Sequence, residues 1–266
     1  MKKLIIAALS LFSIAASAQI TENVLITDRP DQTESPNAVG EGIIQIESGV
    51  LFERYRLNST LSAHRTVYPT NLFRIGLLKR LELRVVNEVV SYKTVDNVKR
   101  EKLNSISGTE NLQIGFKYQL TKDDSKLMIG AMAHAIVPTG SEGISNERYG
   151  VLSRINFSYD IGENKNLSAN VGYNNFDLDF KNEGLVRYAE GNFTYTLVYG
   201  VRLSERVGLY LETFGDVVEF ENWQSNMDAG MTYLISDQIQ VDYSYGWGMN
   251  RVMNYHSVGI SVRLPK

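Results

Sequence analysis

The mature sequence has little of what most secreted domains use to hold themselves together. It contains no cysteine. Disulfides, thiol catalysis, cysteine-based metal sites and a lipid-modified cysteine are therefore excluded. Proline is scarce, at 5 residues, and histidine scarcer, at 3. After the first residues there is no apolar run of about 18 residues, so no helix can span a membrane. The net charge is only -3, which gives no electrostatic case for nucleic acid as a partner.

Aromatic residues and glycine are plentiful: 15 Tyr, 10 Phe and 21 Gly. Strong strand formers with few prolines suit an all-β chain of long, uninterrupted strands. The N-terminus reads as a secretory signal. Lys2 and Lys3 precede an apolar run from Leu4 to Ala16, and Ala16-Ser17-Ala18 supplies the small residues of a cleavage site. We expect residues 1–18 to be the signal peptide and the mature chain to start at Gln19.

From about residue 41 onward the dominant signal is alternation with a period of two. Leu112, Ile114, Phe116, Tyr118 and Leu120 share one face; Asn111, Gln113, Gly115, Lys117 and Gln119 share the other. Phe193, Tyr195, Leu197, Tyr199, Val201 and Leu203 oppose Asn192, Thr194, Thr196, Gly200 and Arg202, with Val198 the exception. Segments 239–248 and 257–264 repeat the pattern. A sandwich with one wet face would also alternate. Two features favour a membrane barrel. The strands are long enough for a tilted crossing, which needs about 9 to 11 residues. Aromatics cluster near strand ends (Tyr92, Tyr118, Tyr159, Tyr173, Tyr233, Trp247), where interfacial girdles belong.

Short polar turns near residues 79–80, 121–125, 162–165, 204–205 and 236–237 alternate with longer stretches near 94–108, 139–147, 177–185, 219–225 and 249–254. That is the outer-membrane pattern of periplasmic turns and outer loops. The expected fold is an all-β, transmembrane, antiparallel up-and-down β-barrel of about twelve strands over residues 41–266. Its least regular strand is 65–77, interrupted by Pro69. Residues 19–40 lack alternation and stand outside the wall, either as a lumenal plug or as a periplasmic tether.

Within that segment lies Thr27-Asp28-Arg29-Pro30-Asp31-Gln32-Thr33-Glu34-Ser35-Pro36. It resembles the opening motif of an outer-membrane transporter family of the phenol-degradation meta-pathway type. Val137-Pro138-Thr139-Gly140 resembles a second element of that family. The resemblance implies a barrel in the bacterial outer membrane that takes up small, hydrophobic or aromatic molecules. It also implies contact with outer-membrane lipid and with the barrel-insertion machinery. The chain departs from many such barrels in ending Leu264-Pro265-Lys266 rather than in an aromatic residue.

Inward faces carry charges of both signs: Glu47, Arg74, Glu82, Arg84, Glu88, Lys117, Arg154, Arg202, Glu212, Asp216, Asp228, Asp242 and Arg263. Isolated charges in a narrow lumen are costly. They either pair and fill the barrel or line a water-filled path, and mixed signs argue against strong ion preference. Asp28, Arg29, Pro30 and Asp31 are the candidates in the N-terminal motif, with Arg29 expected to meet a wall carboxylate if the segment inserts.

An enzyme is not expected. His256 and Ser257 are adjacent and so face opposite sides of a strand. His134 has Met132 and Ile136 on its face, and no nucleophile, base and orienting group fall together. Neither metal spacing nor a phosphate-binding loop is present, so no cofactor is expected. The function read here is a passive or weakly selective channel for small molecules. The alternative is a closed barrel with a structural or surface-interaction role.

Overall fold

A strand in hydrocarbon must have every backbone group paired, and only a closed sheet achieves this without a free edge. The computed structural model shows such closure. It describes residues 25–145, 148–178, 191–218 and 222–264. The signal peptide expected over 1–18, most of the loop expected over 177–185 and part of that over 219–225 lie outside these residues. The strands are β1 (Ile44–Arg56), β2 (Leu61–Leu78), β3 (Leu81–Asp96), β4 (Glu101–Thr109), β5 (Leu112–Gln119), β6 (Leu127–Val137) and β7 (Tyr149–Gly162). They continue as β8 (Lys165–Leu178), β9 (Gly191–Arg202), β10 (Val207–Val218), β11 (Asn222–Ser236), β12 (Ile239–Gly248) and β13 (Met253–Leu264).

All pairings are antiparallel between neighbours, and β1 meets β13 from Ile44↔Leu264 to Tyr55↔Met253, which closes the cylinder. The barrel has twelve wall positions because β4 and β5 share one. β3 pairs with β5 over its turn-side half, from Leu81↔Tyr118 to Val86↔Gln113, and with β4 beyond, from Val89↔Thr109 to Asp96↔Glu101. By the short-turn rule, the end holding the 79–80 and 237–238 turns is periplasmic.

Two stretches differ from the sequence reading. The region 94–108, expected as a loop, is largely a β3–β4 hairpin, for β4 begins at Glu101. Its residues Glu101 to Ser107 are all exposed. With no buried face there is no alternation to read. β13 begins at Met253, inside the expected 249–254 loop, because Met253 and Tyr255 point into the barrel rather than towards lipid. At Pro69 the strand continues, and the ladder to β3 skips from Val67 to Thr70. A proline has no N–H to give, and a bulge absorbs it.

The exterior carries Ile155, Val171, Leu197, Leu211, Met231 and Val258 as exposed apolar side chains. Tyr118, Tyr159, Tyr199 and Tyr233 border this belt near the periplasmic end, and Phe52, Tyr149, Tyr173 and Phe193 near the loop end. Arg80 lies 5.8 Å from the Tyr118 ring centre and Lys126 5.2 Å from that of Tyr159. Cations over aromatic faces at the membrane border suit a bilayer interface. The architecture is that of an outer-membrane β-barrel.

Candidate functional site

Inward positions of a barrel face a confined space, and here residues 25–40 occupy it. The segment runs across the lumen just above the periplasmic end and joins β1 after Gly42, whose N–H donates to the Gly76 carbonyl. Its path can be followed by its partners. Asp28 sits among β1, β2, β3 and β5. Arg29 reaches β12 and β13. Gln32 and Thr33 meet β9 and β10. Glu34 meets β3 and β7, and Asn37 to Val39 return to β2, β3 and β5.

The densest chemistry lies around Asp28. Its Oδ2 accepts from Arg84 at 2.6 Å and from Lys117 at 2.8 Å, and lies 3.5 Å from Arg74. Its Oδ1 accepts from the Ser35 N–H at 2.8 Å, which closes the motif on itself. Arg74 also donates to Glu82 at 3.0 Å, to Glu47 at 3.1 Å and to the Asn37 carbonyl at 2.8 Å. Arg84 donates to Glu82 at 2.8 Å, Glu34 at 3.0 Å and His134 at 3.1 Å. Arg74, Arg84 and Lys117 are thus balanced by Asp28, Glu47 and Glu82, all fully buried or nearly so. Such a network is tolerable in a low dielectric only because each charge is compensated and hydrogen-bonded.

Burial alone would raise the Asp28 and Glu34 carboxyls. For Asp28 the charges of Arg74, Lys117 and Arg84 outweigh it, and for Glu34 those of Arg84 and Arg154 do, so both are held below the usual carboxylate range. Asp31 is the opposite case. Burial and the neighbouring Asp228 carboxyl push it well above that range.

Arg29 needs room that only glycine leaves. Gly49 and Gly259 face each other across β1 and β13. A β-carbon on either would strike the Arg29 guanidinium. In that notch Arg29 donates to Asp242 at 3.0 Å, Ser257 at 2.9 Å and Thr70 at 3.2 Å.

On the β9–β12 side the partners change. Glu212 accepts from the Gln32 N–H at 2.7 Å and from the Thr33 hydroxyl at 2.5 Å, and the Thr33 hydroxyl also reaches Thr196 at 2.6 Å. Asp228 accepts from the Tyr210 and Tyr255 hydroxyls. Beneath Thr33 a cavity of about 310 Å³ remains between the segment and β8–β11.

The structure therefore divides the sequence candidates. Glu47, Arg74, Glu82, Arg84 and Lys117 meet in one network; Arg154 joins it through Glu34 at 3.3 Å. Asp242, Glu212 and Asp228 sit opposite. Glu88 lies further out, 3.6 Å from Arg65. Asp216 and Arg263 are half-buried, and Pro30 is buried. Arg202 departs from the group: it is exposed at the periplasmic mouth. Residues the sequence reading did not single out as lumenal candidates include Thr33, Glu34, Gln119, His134, Asn156, Thr196, Tyr210 and Tyr255. Strand parity places most of these inward, but polar amides and hydroxyls carry no distinctive signature at that position. Outward-facing His256 lies against Tyr243 and Tyr245, while Ser257 faces Arg29, so the two are on opposite sides of the wall.

Apolar side chains also point inward, in the outer half of the lumen: Val67, Val90, Ile136, Leu152, Met253 and Tyr255. This corrects the simple expectation that apolar residues of the wall meet lipid. Polar groups share that outer half, among them Arg65 between Glu53 and Glu88 and the buried Asn226, so the interior there is mixed.

The chain belongs to the family described as "Putative MetA-pathway of phenol degradation", whose model matches residues 27–264. The match begins within the N-terminal motif, so that segment is part of the family pattern. No curated protein matches the sequence. Among solved structures, an outer-membrane channel from Pseudomonas putida F1 superposes with a TM-score of 0.62 at 10% identity, covering 86% of this chain and 98% of that one. The translocator domain of the autotransporter NalP from Neisseria meningitidis gives 0.50 at 8% identity, covering 85% and 89%. At such identities the likeness is one of fold.

Proposed function

We propose that this protein is a passive or weakly selective outer-membrane channel for small molecules, hydrophobic or aromatic ones included, and that residues 25–40 are its resident plug. The observation that carries the reading is the plug itself. A closed structural barrel needs only side chains to fill it, yet here a separate segment crosses the lumen and leaves a cavity of about 310 Å³ open beside it. The apolar inward residues of the outer half suit solutes that are not strongly hydrated. The Pseudomonas putida neighbour is an outer-membrane channel, and the family is named for phenol degradation; both support the same reading. No chemistry is assigned to the barrel. Among the described residues no group of three or more His, Asp and Glu could hold a metal ion.

The ion network also favours a second reading, a permanently sealed barrel. Deletion of residues 20–38 separates the two. The channel reading expects the deleted protein to pass small solutes into liposomes faster than the full mature chain. Equal flux in both would remove the plug assignment. No flux in either, with the barrel still folded, would leave the structural role.

A further inference from the structure

The outer surface of β1–β3 carries charge that the lumen does not use. Arg65 faces inward, 3.7 Å from Glu53 and 3.6 Å from Glu88. The positions next to Glu53 and Arg65 therefore face outward. They are Arg54 on β1 and His64 on β2, and Lys93 on β3 shares their row. The register sets the three side by side, as Arg54↔His64 and His64↔Lys93. Arg56, also exposed, follows on the same face of β1.

These cations have no acid to answer them. Arg54 donates to the Asn97 amide oxygen at 3.1 Å. Among the described residues no carboxylate stands at ion-pair distance from Arg54, Arg56 or Lys93, and the buried His64 Nε2 has no partner. Acids close in sequence are engaged elsewhere. Glu53 and Glu88 hold Arg65 inside the barrel, and Asp96 accepts from the Val98 and Lys99 N–H groups in the hairpin turn. Like charges set side by side weaken a sheet, and an anion between them relieves the repulsion.

Height gives the anion's source. From Ile44 to Arg54 a strand tilted by about 40° climbs about 25 Å, which is the height of the apolar band. With the short turns periplasmic, Arg54 stands at the headgroup level of the outer leaflet. Just below it Phe52 is exposed and pairs with His256, which pairs with Tyr245. Tyr245 in turn stacks on Trp247 with ring centres 6.0 Å apart.

We propose that this face binds an outer-leaflet glycolipid whose sugar headgroup carries phosphate. Arg54, His64 and Lys93 meet the phosphate oxygens, and Phe52 and the Tyr245–Trp247 pair support the sugar edge and the first acyl carbons. Two strand spacings, about 10 Å in all, separate the backbones of Arg54 and Lys93. That span is wider than one phosphate and fits a headgroup of two sugars. The site does not touch residues 25–40, so it stands whether or not the barrel conducts.

The test is a titration of the full mature protein, folded in detergent micelles, with diphosphorylated lipid A, followed by native mass spectrometry. One lipid is expected to bind per barrel. The double variant Arg54→Gln, Lys93→Gln is expected to weaken it about tenfold or more. Lys126→Gln, at the periplasmic border, is expected to change it less than about twofold. Dephosphorylated lipid A and phosphatidylglycerol are each expected to bind the unmodified protein at least about tenfold more weakly. That comparison needs no variant, so it decides the matter even if the double variant does not fold. Equal binding of dephosphorylated lipid A, a double variant that binds as well as the unmodified protein, or an equal loss with Lys126→Gln would overturn the site. Phosphatidylglycerol binding as tightly as lipid A would overturn the glycolipid as its occupant.

Discussion

The β1–β7 and β9–β12 sides of the lumen hold the same segment by different means. On the first side Arg74, Arg84 and Lys117 grip Asp28, and Arg84 and Arg154 grip Glu34, with distances from 2.6 to 3.5 Å. On the second, Glu212 receives the Thr33 hydroxyl and the Gln32 N–H. Arg29 lies at the border, paired with Asp242. Compensated charges in a low dielectric are costly to break one at a time, because the partner left behind stays buried and uncompensated. A hydroxyl bond given up can be replaced by water or a solute. Ion pairs fasten the segment to one wall, and hydroxyl and amide bonds fasten it to the other.

The sharpest way to break this comparison is to remove a cation from the clamped side. Arg84→Ala leaves Asp28, Glu34 and Glu82 each short of one buried cation, and should cost about 3–5 kcal/mol, read as a lowered midpoint of denaturant unfolding in detergent. A loss near zero would mean the network is not the anchor.

The pH dependence should separate the sides next. Asp28 is held below its ordinary range, so its contribution is full above that range and fades only as pH falls through its lowered value. Asp31 is held above, so its contribution is full in acid and is lost as pH rises through its raised value. Flux should therefore increase as pH rises through the raised value of Asp31, whose charge then stands beside Asp228 and loosens the Gln32–Thr33 contacts. Asp31→Asn should flatten that rise. A rise that survives the substitution assigns the titration elsewhere.

The smallest effect belongs to the hydroxyl contacts of Thr33 alone. Thr33→Val removes a hydroxyl but keeps the shape, and should cost about 1–2 kcal/mol while raising flux modestly. If it destabilised the protein as much as Arg84→Ala does, the two sides would not differ in kind.

Much of the wall was legible in the chain because lipid imposes a simple rule. β5 reads Leu112 to Gln119 with apolar and polar residues in strict alternation, and Ile114, Phe116 and Tyr118 face outward while Lys117 and Gln119 face inward. The rule weakened wherever its cause was missing. β4 is exposed on both faces from Glu101 to Ser107, so nothing alternates there. β6 puts Met128, Met132 and Ile136 inside and Ala133 and Ala135 outside, so its apolar residues do not mark the lipid face. The inward charges could be named from parity, but parity says nothing about which of them meet. Lys117 and Asp28 are 89 residues apart in the chain, and only closure of the barrel brings them within a hydrogen bond.

Local sequence determined, by itself, that this is a long-stranded all-β chain with an outward apolar face, because a period of two is a property of each strand alone. It also marked the motif at residues 27–36 as a separate segment, since that stretch has prolines and no alternation. Tertiary structure alone decided where the segment goes and how firmly each side holds it. Those depend on strand register around a closed cylinder, which sets the height and direction of every inward side chain and leaves Gly49 opposite Gly259 as the notch for Arg29.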